Sequence, residues 1–133
     1  MKHPPARDDR GQVTAFVVII TLALILLFAL VAEGGAALST RSRALSLAQE
    51  AARAGAQELD LASYRAGQPT TLNASAARQS AQRFLAQSGA DGSVHIDGAT
   101  VTVTARLDYT FHLLPFGTRP LKATANAAPH TAP

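Results

Sequence analysis

The 133-residue sequence contains no cysteine, so neither disulfides nor thiolate metal sites can staple it. It also lacks the GxGxxG and GxxxxGK[ST] patterns that cradle phosphates. Charge is sparse: twelve Lys and Arg stand against nine Asp and Glu, a net +3, with a pI of about 10.0. The arginines are scattered from Arg41 to Arg119 without a dense basic run or interleaved aromatics, which argues against nucleic acid as a partner. Nor do titratable side chains gather into a catalytic pattern. His3 and His130 fall in terminal segments, and His95 on the outer face of an expected strand. His112 lies between Phe111 and Leu113, where a partly buried structural histidine is expected. Asp97 belongs to a turn and Asp108 to a solvated strand face. Without a nucleophile and base, paired carboxylates or a metal cluster, no catalysis, cofactor or small-molecule substrate is expected.

What the chain does have is a long apolar run. "RGQVTAFVVIITLALILLFALVAEGG", from Arg10 to Gly35, carries no charge between Arg10 and Glu33. Val13 to Ala32 is about 20 residues, roughly 30 Å as a helix, which matches one bilayer core. A buried helix this apolar on every side would need a larger domain around it than the remaining chain supplies. A secretory signal carries an apolar region of only about 7 to 15 residues before small residues at its cleavage site. Cutting after Ala32 would put Leu30 where a small side chain is wanted, and Gly34-Gly35-Ala36-Ala37 offers a weaker site. The run therefore reads as a retained membrane anchor, with release by cleavage near Ala36 as the alternative.

Glu33 ends the run. Inside hydrocarbon it would call for a partner charge, whereas at the boundary it reaches water. Gly34 and Gly35 each weaken a helix by roughly 1 kcal/mol relative to Ala, so a bend or local melting is expected at the membrane surface. Beyond them, "AALSTRSRALSLAQEAARAGAQELDL" keeps a helical period, with Leu38, Leu45, Ala48, Ala52, Gly55 and Leu59 recurring at mostly three or four. One long helix, part in lipid and part in water, is the simplest account. Ala44, Ala48, Ala52 and Gly55 form a smooth stripe suited to close packing, on this domain's own sheet or on a partner helix.

The remaining elements are short. "LASYRAGQPTTL" reads as a loop marked by Gly67 and Pro69. Asn73 can cap a second helix over Ala74 to Ser88, with Leu72 as a staple to Ala77 and Gly89 as the stop. Asn73-Ala74-Ser75 also matches the glycosylation acceptor pattern, but capping accounts for it. From Ser93 the period becomes two: Val101, Val103, Ala105, Leu107, Tyr109 and Phe111 alternate with polar residues. Asp97-Gly98 signals a hairpin, and a turn centred there pairs Ile96 with Ala99 and Val94 with Val101. After a turn at Leu114-Pro115-Phe116-Gly117, Leu121, Ala123, Ala125 and Ala127 mark a third antiparallel strand.

These readings predict an α+β fold: a long N-terminal helix, a second short helix and a small antiparallel sheet of about three strands. The expected divisions are a disordered cytoplasmic tail over 1–12, a transmembrane helix over 13–33, an extracytoplasmic domain over 34–128 and a loose tail over 129–133. The positive-inside count favours a cytoplasmic N-terminus slightly, with Lys2, Arg7 and Arg10 before the span against Arg41 and Arg43 after it. About 100 residues beyond the anchor allow one small domain. The 47% hydrophobic content is inflated by the anchor and by alanine, so the core should be thin and built from small residues.

The order of parts resembles the TadE/TadG-like proteins of tight-adherence (Flp-type) pilus assembly systems, most closely their short actinobacterial forms. "RGQVTAFVV" (Arg10 to Val18), "AEGGAALSTRSRALSLAQEAARAGAQELDL" (Ala32 to Leu61) and "LKATANAAP" (Leu121 to Pro129) carry it, with "AARAGAQ" the most telling. The resemblance implies a pilin-like, membrane-anchored, non-catalytic accessory component of a type IV-related pilus or secretion machine, acting in adhesion or protein secretion. Its partners would be the membrane, other pilin-like subunits and the inner-membrane platform, with a separate ATPase supplying power. True pilins of this class are cut after a glycine and carry Glu five residues beyond it. Gly11 and Gln12 are the candidate cleavage pair here, and Phe16 then stands where that acid belongs. This departure favours a minor pilin or assembly factor over a major pilin. The alternatives are a generic signal-anchored envelope protein with another partner, or a small secreted domain released near Ala36.

Overall fold

In the computed structural model, which describes residues 2–3 and 10–130, the chain forms three helices and one sheet. The expectations for residues 1, 4–9 and 131–133 of the two tails lie outside the described residues. Helix α1 runs from Arg10 to Ala56, 47 residues, or about 70 Å at 1.5 Å per residue. Arg10, Gly11 and Gln12, expected in the disordered tail, form its first turn. It is helical without interruption through Gly34 and Gly35, so the expected melting at these glycines does not occur.

The C-terminal third of α1 is the floor of the domain. Ala44, Ala48, Ala51 and Ala52 are fully buried there, with Gly55 and Ala56 beside them. Small side chains let the helix approach its neighbours closely. A Cβ placed on Gly55 would lie 2.9 Å from the Ala77 carbonyl oxygen and 3.1 Å from Val101 Cγ1. The periodic Leu38 and Leu45 stay outside the core, 67% and 40% exposed, where they line a surface groove with Ala123 and Thr124. A Leu would hold the backbones too far apart for this contact, so the alanines rather than the leucines define the buried side.

The segment after α1 was expected to be a plain loop, yet Leu61–Arg65 forms a one-turn helix, α2. Asp60 caps it, accepting the Ala62 N–H at 3.0 Å and the Ser63 hydroxyl at 2.8 Å. A β-bridge between Leu59 and Leu72 closes the segment at its base. Helix α3, Ala74–Gln87, begins at Asn73, whose side chain accepts the Ala76 N–H at 3.2 Å. It ends before Gly89, which takes φ +71° as left-handed helix stops require. Ala77, Ala81 and Leu85 form its buried side.

Strands β1 (Asp91–Asp97), β2 (Thr100–Thr110) and β3 (Thr118–Ala127) form an antiparallel sheet in that order. The first hairpin is shifted by one place from expectation: Ile96 pairs with Val101 and Val94 with Val103, because the loop is Gly98-Ala99 rather than Asp97-Gly98. Gly98 has φ +58° while Ala99 does not enter the positive region, the arrangement in which glycine occupies the first central position of a type II′ turn. The shift moves each partner by two residues, so every apolar side chain keeps its face. Val101, Val103 and Ala105 are fully buried against α1 and α3, and Val101 and Val103 are the largest side chains so enclosed. On the opposite face, Thr104 and Thr124 share a hydroxyl hydrogen bond at 2.9 Å. The core is thin and made of small residues, as the alanine content implies.

Candidate functional site at the membrane edge

Most of the first half of α1 lies exposed. Its most apolar window has a mean hydropathy of 3.2 and none of it is buried. From Val13 to Val31 every large apolar side chain is at least 44% exposed, Phe16 at 64% and Phe28 at 75% among them. A surface of this kind is unfavourable in water at roughly 25 cal/mol per Å² and suits hydrocarbon, which fits a membrane anchor. Gly11 and Gln12 lie at its start, with open space around Gly11.

Glu33, the acid that ends this stretch, is only 4% exposed. Its carboxylate is enclosed by the β2–β3 loop. The backbone N–H groups of His112 and Leu113 both donate to Oε1, the latter at 2.8 Å, and that of Leu114 donates to Oε2 at 2.7 Å. A carboxylate offers several acceptor sites and no donor, so three converging amides are a fitting partner set without any cation. Burial that would otherwise penalise the charge is offset by these bonds.

Simple lengths explain why the loop reaches Glu33. Strand β2 runs antiparallel to α1, with Val101 beside Gly55 at one end and His112 at Glu33 at the other. From Gly55 back to Glu33 the helix rises roughly 33 Å, and from Val101 to His112 the strand covers roughly 36 Å. The two elements therefore finish level with each other at the end of the apolar run.

The loop itself is well braced. Phe111 N–H donates to the Gly117 carbonyl at 2.9 Å, Phe116 N–H to that of Leu114 at 2.9 Å, and Arg119 Nε–H to that of Phe116 at 3.3 Å. Tyr109, Phe111 and Phe116 form an edge-to-face series, with ring centroids 5.0 and 5.4 Å apart. The His112 side chain, expected to be partly buried, is exposed. Its backbone amide, not its imidazole, is what the fold uses. Nothing in the sequence signals that three loop amides will meet an acid so far back along the chain, although three large apolar residues in "HLLPFG" are unusual for a turn.

The remaining sequence-nominated residues divide into two groups. Gly34 and Gly35 lie exposed beside Glu33, with nothing near enough to meet an added Cβ. Ala44, Ala48, Ala52 and Gly55 are buried within the domain, against α3 and the sheet.

Residues 11–58 match the family model for the Flp pilus-assembly TadE/G-like domain, named Tad. This part of the chain is similar to TadE/G-like pilus-assembly proteins. The matched TadE/G-like segment spans almost all of α1 and stops before α2, α3 and the sheet. No curated protein and no solved structure matches the chain. The match over residues 11–58 and the apolar helix together fit a membrane-anchored pilus component.

Proposed function

We propose that the chain is a minor pilin or assembly factor of a Tad/Flp-type pilus or secretion system. Residues 13–33 of α1 would cross the membrane with the N-terminus cytoplasmic, and the domain over 34–128 would stand outside. The observation that carries this reading is the engagement of Glu33. The resemblance ties fibre assembly by major pilins to an acid near the start of the apolar helix, free to meet a neighbour's amino terminus. In this chain Phe16 occupies that place, and the acid at the other end of the apolar run is already taken by amides of its own loop. Neither position offers a carboxylate to a neighbour, which supports an accessory role over a major structural one. The unburied apolar half of α1 would contact lipid, other pilin-like helices and the inner-membrane platform.

The test is the N-terminal residue and intact mass of the mature protein recovered from membranes of its host. A start at Gln12 would mean prepilin-type processing and favour entry into the fibre as a minor pilin. A start at Met1 would favour an uncleaved assembly factor. Recovery only outside the cell, with a start near Ala37, would sink the anchor and the reading with it.

A further inference from the structure

The β2–β3 loop presents a contradiction. It is braced by hydrogen bonds and ring contacts, yet it holds Leu113 63% and Phe116 52% exposed. A braced loop could bury two such side chains at little extra cost in conformational entropy. Instead, the Glu33 bonds and the Tyr109–Phe111–Phe116 series fix them outward. Their position supplies the reason. They stand level with the last residue of the apolar run, so their surface is continuous with the helix surface that lipid would cover. Pro115 lies between them, and the Arg119 side chain and the exposed His112 flank them. Apolar and aromatic tips beside a guanidinium and an imidazole suit the boundary between acyl chains and headgroups.

The geometry points to the loop from His112 to Phe116 as a second membrane contact, seated in the headgroup–acyl boundary beside α1. Leu113 and Phe116 enter the apolar side, while Arg119 and His112 face lipid phosphates. Glu33 acts as the latch that sets loop depth. Three amides that would otherwise face a poorly hydrated boundary are satisfied by its carboxylate, so the loop enters without orphaned donors. The effect is to fix the domain's tilt and height on the bilayer, because an anchor helix alone leaves it free to rotate about its axis. This inference rests on the membrane-anchor reading of α1.

The chain has no tryptophan, so single substitutions give clean fluorescence reports. The full chain would be reconstituted in vesicles of phosphatidylcholine and phosphatidylglycerol carrying bromine either near the headgroup or near the bilayer centre. The variants are Phe116→Trp, Leu113→Trp, Phe28→Trp within the span and Tyr64→Trp on α2, the last 65% exposed and at the far end of the domain. Leu113→Trp guards against a folding defect in Phe116→Trp, since Phe116 stacks on Phe111 and Leu113 takes no part in that series. The expected result is severalfold stronger quenching by near-headgroup bromine in the two loop variants than in Tyr64→Trp, with acrylamide quenching reduced to match. If the span indole of Phe28→Trp is quenched by central bromine while both loop indoles stay open to acrylamide and insensitive to bromine, the loop contact is wrong and the anchor stands. Shielding of the loop indoles from both quenchers would also overturn it, as contact with protein rather than lipid. If the span indole itself is unaffected by bromine at either depth, the anchor reading fails and the loop contact with it.

Discussion

The carboxylate of Glu33 accepts the backbone N–H of Leu114 at 2.7 Å, joining positions 81 residues apart. With the amides of His112 and Leu113 on the other oxygen, this bond ties the end of the apolar helix to the tip of the sheet. Amide hydrogen exchange at residues 112–114 reports it directly. Glu33→Ala should release all three amides. Glu33→Gln retains one acceptor oxygen and should release Leu114 while partly sparing the other two. Equal protection in all three proteins would show that the loop does not depend on Glu33.

Two sets of glycines should respond in opposite directions. Gly55→Ala drives a Cβ to 2.9 Å from a backbone carbonyl, which must shift one element and should cost about 1 to 3 kcal/mol in denaturant unfolding of the detergent-solubilised chain. Gly34→Ala and Gly35→Ala meet open space and should each raise helix stability by up to about 1 kcal/mol. If either one instead abolishes pilus assembly without loss of folding, the smooth surface at the membrane edge is used by a partner helix.

Asp60 links stability to acid. The Ser63 hydroxyl and the amides of Ser63 and Ala62 hold its pKa below the ordinary value of 3.8. A lowered carboxylate pKa means that the folded state favours the charged form, so this contribution is fully present above pH 3.8 and is lost as pH falls through the lower folded value. Thermal unfolding of the wild type should therefore lose ground to Asp60→Asn below about pH 4. A constant gap between them from neutral pH downward would rule out the cap as its source.

Asn73→Ala removes the cap of α3 and should cost about 1 kcal/mol, measured by chemical unfolding. Ser75→Ala removes the glycosylation pattern but leaves the Asn73–Ala76 bond in place, and should be close to neutral. A larger loss from Ser75→Ala than from Asn73→Ala would contradict the capping role.

Periodicity made most of the fold legible. The apolar run, the cap at Asn73, the stop at Gly89 and the alternation from Val101 to Phe111 each report a local preference of the backbone that needs no distant partner. What local reading misjudged were choices among near-equal alternatives. Leu38 and Leu45 share the helical period with the alanines, but only the alanines allow α1 to approach α3 and the sheet within contact of Gly55. Asp97-Gly98 and Gly98-Ala99 both place glycine in a tight turn, but a type I′ turn on the first pair would need positive φ at Asp97 as well, and only Gly98 takes it, which leaves the second. The one-turn helix after Asp60 is too short to leave a periodic trace.

The candidate site was half legible. Glu33 stands out in any reading because a charge at the end of an apolar run demands an explanation, yet its solution lies in backbone amides, which every residue but proline carries and which no side-chain pattern marks.

Hydrophobic length and composition were enough on their own to determine a bilayer-length helix, a small α+β domain and a core of alanine and valine. These follow from quantities that add up along the chain: rise per residue, apolar area and turn preference. Only the tertiary structure decided that the alanine stripe is consumed inside the domain, that Glu33 is latched by residues 112–114, and that Leu113 and Phe116 are held outward beside the end of the apolar run. Those outcomes depend on two elements ending at the same height, roughly 33 Å of helix against 36 Å of strand, a coincidence that exists only once the chain has folded back on itself.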